Sequence, residues 1–151
     1  MKEITGELWD YYGKENFVVC ITTNGTVKKN GEAVMGRGCA KEATERLPRI
    51  AKRLGASLNT IGLQFFEPVN LGNEWTDPIA LFPVKYNWWE QADLELIKKS
   101  ASQLRDRALA WPNCTYILPR PGCGNGRLTW DQVKPVIDFL PDNVWVISKE
   151  H

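Results

Sequence analysis

Short runs of apolar and β-branched residues punctuate the chain, and between them apolar positions recur every three or four residues. Residues 17–23 (Phe17, Val18, Val19, Cys20, Ile21, Thr22, Thr23) form one continuous run, the pattern of a strand buried on both faces. Asn24-Gly25 closes it with a turn dipeptide. Similar runs at 61–66, 79–84, 114–118 and 144–148 are bounded by Gly, Pro or Asn, as strands tend to be. Residues 2–8 are a weaker first strand.

The intervening segments read as helices. Leu94, Ile97, Ala101, Leu104, Ala108 and Trp111 fall at steps of three and four, which puts an apolar stripe along one helix. Lys98, Lys99, Arg105, Asp106 and Arg107 lie mostly on its other, solvated side. A second helix is expected over 39–53, broken or kinked at Pro48. A third begins near Thr129, where Thr129 and Gln132 have capping-box spacing. Pro135 is expected to kink that helix or delay its start. The order β-β-α-β-β-α-β-α-β implies a three-layer α/β/α fold with a mixed, largely parallel central sheet, in a single domain over residues 1–151. In such sheets ligands bind beyond the carboxyl ends of the strands, here at the loops after 17–23, 79–84 and 114–118.

Composition narrows the chemistry. Lys and Arg total 19 against 18 Asp and Glu, a net charge of +1, so the chain lacks the broad positive field of a nonspecific duplex-DNA binder. No long uncharged apolar run or charged-then-apolar leader occurs, so neither a membrane span nor a signal peptide is expected, and the location expected is cytoplasmic. The sole histidine is His151, the last residue, which disfavours a histidine base or a His-rich zinc site. No metal and no cofactor are expected. No two of Cys20, Cys39, Cys114 and Cys123 are spaced as CxxC, and free thiols are the better reading. Chemistry then falls to Lys, Asp/Glu, backbone amides or a bound ligand.

Two of the three loops are rich in glycine. One reads Val34-Met35-Gly36-Arg37-Gly38-Cys39-Ala40 and opens a helix; the other runs from Pro119 through Gly122, Cys123, Gly124, Asn125, Gly126 and Arg127 to Leu128. Glycines let backbone amides approach a ligand closely, and such amides beside a helix start form an anion site. Either loop alone reads as a tight turn; two at one sheet edge are more informative. Neither fits GxxxxGK[ST] or GxGxxG. Lys85 ends the apolar segment Phe82-Pro83-Val84 next to Tyr86, Trp88 and Trp89. Partial desolvation there lowers an amine's pKa and makes it a better nucleophile or base. Snorkelling to solvent is the commoner fate of such a lysine.

Four places in order carry a family resemblance: Gly6-Glu7-Leu8-Trp9; Ile21 to Asn24 with Met35 to Gly38; Phe82 to Lys85; and Pro119 through Trp130. Taken together they resemble a macro domain, the module that binds ADP-ribose. The likeness is greatest to the branch that includes glutamate-ADP-ribose hydrolase and the bacterial antitoxins that remove ADP-ribose from DNA. The resemblance implies that Glu7, beside Leu8, accepts from the adenine amino group, and that Asn24 reaches the distal ribose. It passes the loop from Met35 to Cys39, with Met35, Gly36, Arg37 and Gly38 as ligand-binding residues, under the distal ribose and a phosphate. It lays the loop Gly122 to Arg127 (Gly122, Cys123, Gly124, Asn125, Gly126, Arg127) over the diphosphate and counts Pro119 among the ligand-binding residues. Lys85 matches the lysine on which hydrolysis depends, either attacking the anomeric carbon or stabilising the departing group.

Two departures refine this. Many hydrolytic relatives carry Asp where this chain has Gly126, whereas the DNA-directed antitoxins resemble it there. Ile21 or Thr22 replaces an Asn of the protein-directed macrodomain hydrolases. The expected function is removal of ADP-ribose from a macromolecule, protein or nucleic acid, by a monomer. The alternatives are a noncatalytic reader of ADP-ribose or a related nucleotide, and a phosphatase for ADP-ribose 1″-phosphate. Trp88, Trp89 and Trp130 fall near the cleft, where an aromatic rim can stack a nucleobase, although packing is the role expected of most tryptophans.

Overall fold

A computed structural model describes residues 1–67 and 78–149. Among them are five strands: β1 (Lys2–Thr5), β2 (Phe17–Asn24), β3 (Ile79–Lys85), β4 (Thr115–Pro119) and β5 (Val144–Ser148). They pair in the order β1-β5-β4-β2-β3, parallel throughout. The one antiparallel link to β3 among the described residues is a bridge between Phe66 and Leu81. The helices are α1 (Gly38–Arg46), α2 (Ile50–Thr60), α3 (Leu94–Ala110) and α4 (Trp130–Ile137), with a 3₁₀ turn at Leu8–Tyr11.

The period-2 alternation of β2 divides the core between the faces of the sheet. Val19 and Ile21 join Leu8, Ala43, Leu47, Ile50 and Leu54 on the side of α1 and α2. Cys20 joins Phe82, Leu104, Val133 and Ile137 on the side of α3 and α4. Side chains are therefore buried on both faces, which is why β2 reads as an unbroken apolar run. Pro83 has no N–H to donate and sits in β3, the edge strand of the described sheet, where its lack costs least.

The helix signals resolve locally. The 39–53 segment divides at Pro48 into α1 and α2, and α2 continues to Thr60. Thr129 and Gln132 form the reciprocal capping box of α4. Pro135 lies inside α4, at its sixth residue, and leaves the Asp131 carbonyl without its helical donor. Asp93 caps α3 by accepting from Leu96 N–H at 2.9 Å.

Two expectations need correction. Residues 61–66 do not form a strand. Ile61 is the C-cap of α2, and Gly62 (φ +83°) donates back to the Ser57 carbonyl at 3.2 Å, so helix closure consumes the start of that run. Only Phe66 reaches the sheet. Trp111 does not belong to the buried stripe of α3: it caps the helix and is 56% exposed. All four cysteines are free. No described helix is long and apolar enough to cross a membrane. His151 lies outside the described residues.

Candidate functional site

A cleft of about 670 Å³ opens at the carboxyl edge of the sheet, within the range of small-ligand sites. The loops after all five strands reach it, because parallel strands deliver all their carboxyl ends to one side. Of the residues that the resemblance assigns to catalysis or ligand binding, all line it except Arg127: Glu7, Leu8, Asn24, Met35, Gly36, Arg37, Gly38, Lys85, Pro119, Gly122, Cys123, Gly124, Asn125 and Gly126. Arg127 (φ +66°) stands behind its loop, its guanidinium donating to the Trp89 carbonyl at 3.4 Å.

The register of β2 and β3 slips by one residue between Thr23 and Asn24, which brings Asn24 opposite Lys85. Asn24 is engaged with backbone on both sides. Its Nδ2 donates to the Val34 carbonyl at 3.0 Å and its Oδ1 accepts from Thr26 N–H at 2.9 Å. It therefore ties the first glycine loop to the end of β2. One Nδ2 proton and one Oδ1 lone pair remain for a ligand. The β3–α3 loop is held in turn by Trp88 N–H donating to Thr26 Oγ1 at 3.1 Å. Arg37, the N-cap of α1, makes no side-chain cap bond, so the first-turn amides of α1 face the cleft without a protein acceptor from their cap.

The second glycine loop is anchored from below. Gly122 has φ +79°, a backbone that favours glycine, and a Cβ there would press on Ile97 Cδ1 at 2.7 Å and Ala92 Cβ at 3.1 Å. Gly124 (φ +69°) has nothing within 4 Å of its Cβ position, leaving room for a ligand beside its backbone. Closing bonds run from Arg127 N–H to the Gly124 carbonyl at 2.9 Å and from Leu128 N–H to the Gly122 carbonyl at 3.0 Å.

Lys85 joins the two sides. Its Nζ donates to the Trp88 carbonyl at 3.3 Å and to the Asn125 carbonyl at 3.1 Å. Partial burial lowers its pKa below the usual lysine value, and the nearby Arg127 and Arg37 guanidiniums lower it further. Among the described residues no carboxylate pairs with it. At the opposite end Glu7 is exposed and lies 3.7 Å from Lys149 Nζ.

Sequence reasoning missed Ser148, Lys149, Glu42 and Arg120, which also line the cleft. Ser148 and Lys149 follow from strand order, since β5 lies between β1 and β4; no motif marks them. Trp88 lines the cleft, whereas Trp89 and Trp130 do not. Trp88 and Trp89 are 46% and 60% exposed and meet edge to face. Among the described residues no group of three or more His, Cys, Asp or Glu side chains is arranged to hold a metal.

At the level of sequence, no family model and no curated protein matches the chain. The fold does have counterparts. The macrodomain of Thermus aquaticus DarG superposes with a TM-score of 0.75 at 23% identity, covering 99% of this chain and 97% of that one. The macrodomain of Mycobacterium tuberculosis DarG gives 0.73 at 23% identity, covering 97% and 95%. Thermosipho africanus DarTG, solved in complex with ADP-ribose, gives 0.74 at 16% identity, covering 97% of this chain and 41% of that one. The chain has the macrodomain fold.

Proposed function

We propose that the cleft binds ADP-ribose and that the chain hydrolyses ADP-ribosyl linkages on a macromolecule through Lys85. The observation that carries this reading is the lysine itself. Its amine, with a lowered pKa, sits on the cleft wall between two loops rich in backbone amides. The ADP-ribose in the Thermosipho africanus DarTG structure supports the choice of ligand. Glu7 and Asn24 lie toward the two ends of the cleft, in the order that an adenine and a distal ribose require. The amides of the glycine loops supply the intervening diphosphate cradle.

In the neutral form, Lys85 Nζ attacks the anomeric carbon of the distal ribose. The bond to the departing macromolecule breaks with its electron pair, and that group takes up a proton. Water then hydrolyses the lysine adduct and restores the amine. One observation favours a second reading. The Lys85 ammonium already donates to two carbonyls, which suits a fixed cation in a noncatalytic reader. Incubation with ADP-ribosylated protein, ADP-ribosylated DNA and ADP-ribose 1″-phosphate, followed by mass spectrometry, separates these. Free ADP-ribose from a macromolecule supports the hydrolase. Tight binding without turnover supports the reader, and phosphate release alone identifies a phosphatase.

A further inference from the structure

Hydrolysis needs a departing group that leaves with an electron pair, and the cleft is unevenly equipped for that step. Lys85 Nζ donates to the Asn125 carbonyl at 3.1 Å. The Asn125 carboxamide in turn faces the first glycine loop: a Cβ on Gly38 would lie 3.2 Å from its Nδ2. Arg37, the residue before Gly38, therefore belongs to the Lys85 end of the cleft. The charges that act on the Lys85 amine are both guanidiniums, Arg127 and Arg37. Arg127 is engaged with the Trp89 carbonyl at 3.4 Å and does not line the cleft. Arg37 lines it and is exposed. Among the described residues no carboxylate pairs with the Arg37 guanidinium and no acceptor takes a hydrogen bond from it.

Proton donors lie elsewhere. Among the described residues the carboxylates that line the cleft are Glu7 and Glu42. Glu7 lies 3.7 Å from Lys149 Nζ, at the opposite end. Glu42 shares a side of α1 with Arg46, four residues on. Arg46 sits 4.6 Å from the centre of the Trp9 ring, two residues after Glu7, so Glu42 belongs to the same half as Glu7. Cys39 and Cys123 also line the cleft, but burial raises both thiols and makes them weak acids. Lys85, neutral when it attacks, is no acid either. Charge that develops on a departing atom at this end therefore meets a guanidinium, which stabilises an anion but keeps its proton.

We propose that Arg37 receives the negative charge of the departing group, and that the chain therefore cleaves ADP-ribosyl linkages to acidic leaving groups and spares those to an alkoxide or a guanidine. The proposal rests on the hydrolase reading and names the linkage chemistry that this reading leaves open. In the step, Lys85 Nζ bonds to the anomeric carbon as the bond to the departing atom breaks. That atom keeps the electron pair, leaves as an anion and is protonated by water, while the adduct nitrogen gives a proton to water. The test uses one peptide carrying ADP-ribose on a glutamate, a serine or an arginine side chain, and an oligonucleotide carrying it on a base imide nitrogen. Wild type, Arg37→Gln and Arg37→Lys are compared, with thermal unfolding as a check that each variant folds. Rates are read on the high-pH plateau after correction for the unenzymatic reaction, so that loss of the Arg37 charge does not act through the Lys85 proton. Wild type should cleave the ester or the imide at least about a hundredfold faster than the serine and arginine linkages. Arg37→Gln should lower kcat on the cleaved linkage by about tenfold or more with KM within about threefold, and Arg37→Lys should keep most of the activity. Comparable cleavage of the serine or arginine linkage would reveal an acid and overturn the proposal. So would a wild-type kcat in Arg37→Gln, or a loss confined to KM, which would make Arg37 a ligand contact only. No turnover of any linkage by wild type would instead remove the hydrolase reading, and this proposal with it.

Discussion

Lys85 is the residue on which binding and turnover should come apart. If it acts in the chemical step, Lys85→Ala should leave ADP-ribose affinity within a few-fold of wild type while turnover collapses. Lys85→Arg should not restore activity, because a guanidinium stays protonated and cannot attack carbon. An active arginine variant would leave an electrostatic role only. The lowered pKa adds a pH signature. The neutral amine is the nucleophile, so kcat/KM should rise with pH to a plateau whose midpoint lies below the ordinary lysine value of 10.5. Desolvation is the largest cause of the shift and the Arg127 charge the next. Arg127→Asn removes that charge in a residue type that tolerates the left-handed backbone. It should move the midpoint to higher pH; an unchanged profile would separate the limb from Lys85. The stability linkage has the same origin. Between the folded and unfolded pKa of Lys85 the folded state holds fewer protons, so its contribution to stability grows as pH rises through that window. Below the window the buried charge is a standing cost.

At the scale of single elements, the second glycine loop makes the sharpest demand on residue type. Gly124→Glu meets no steric obstacle at Cβ but places a β-carbon at φ +69°, at a cost of about 1–2 kcal/mol in stability. It also sets a carboxylate where the diphosphate should lie. Loss of a charge-assisted hydrogen bond costs roughly 1.5–3 kcal/mol, so affinity should fall about tenfold or more. Gly124→Asn, tolerant of that backbone and uncharged, should lose less. Titration of both variants with ADP-ribose checks the order, and equal affinity for all three proteins would move the diphosphate elsewhere. This loop was legible in sequence because glycine declares backbone geometry directly. The capping box at Thr129 and the break at Pro48 were legible for the same reason: each is a local rule written within a few residues. The 61–66 run misled because apolar residues that end a helix look like those that begin a strand. Trp111 misled because periodicity does not record where the helix stops. Asn24 lies at the strand end as expected, yet one of its two backbone bonds reaches Val34, ten residues away.

At the scale of the whole molecule, the cleft gathers residues from the ends of all five strands, from Gly6 after β1 to Lys149 after β5. Sequence periodicity finds the strands but not their order, which is why Ser148 and Lys149 entered the site only with the sheet. The same arrangement ties ligand binding to global stability. A ligand that bridges loops from every strand of a single sheet binds the folded state and not the unfolded chain. ADP-ribose at a hundred times its Kd should therefore add about 2.7 kcal/mol to unfolding, a rise in Tm of roughly 5–10 °C for a domain of this size. AMP, which lacks the distal ribose and one phosphate, leaves the Asn24 and Lys85 end empty and should give a smaller rise at equal concentration. The shift should be the same with and without a chelator, because the cradle proposed is made of backbone amides and side chains. Differential scanning fluorimetry over a concentration series, repeated with EDTA, reads all three. No shift with millimolar ADP-ribose would remove it as the ligand. A shift abolished by EDTA would mean that a metal completes the cradle, and an AMP shift as large as that of ADP-ribose would mean that the Lys85 half of the cleft contributes nothing to binding.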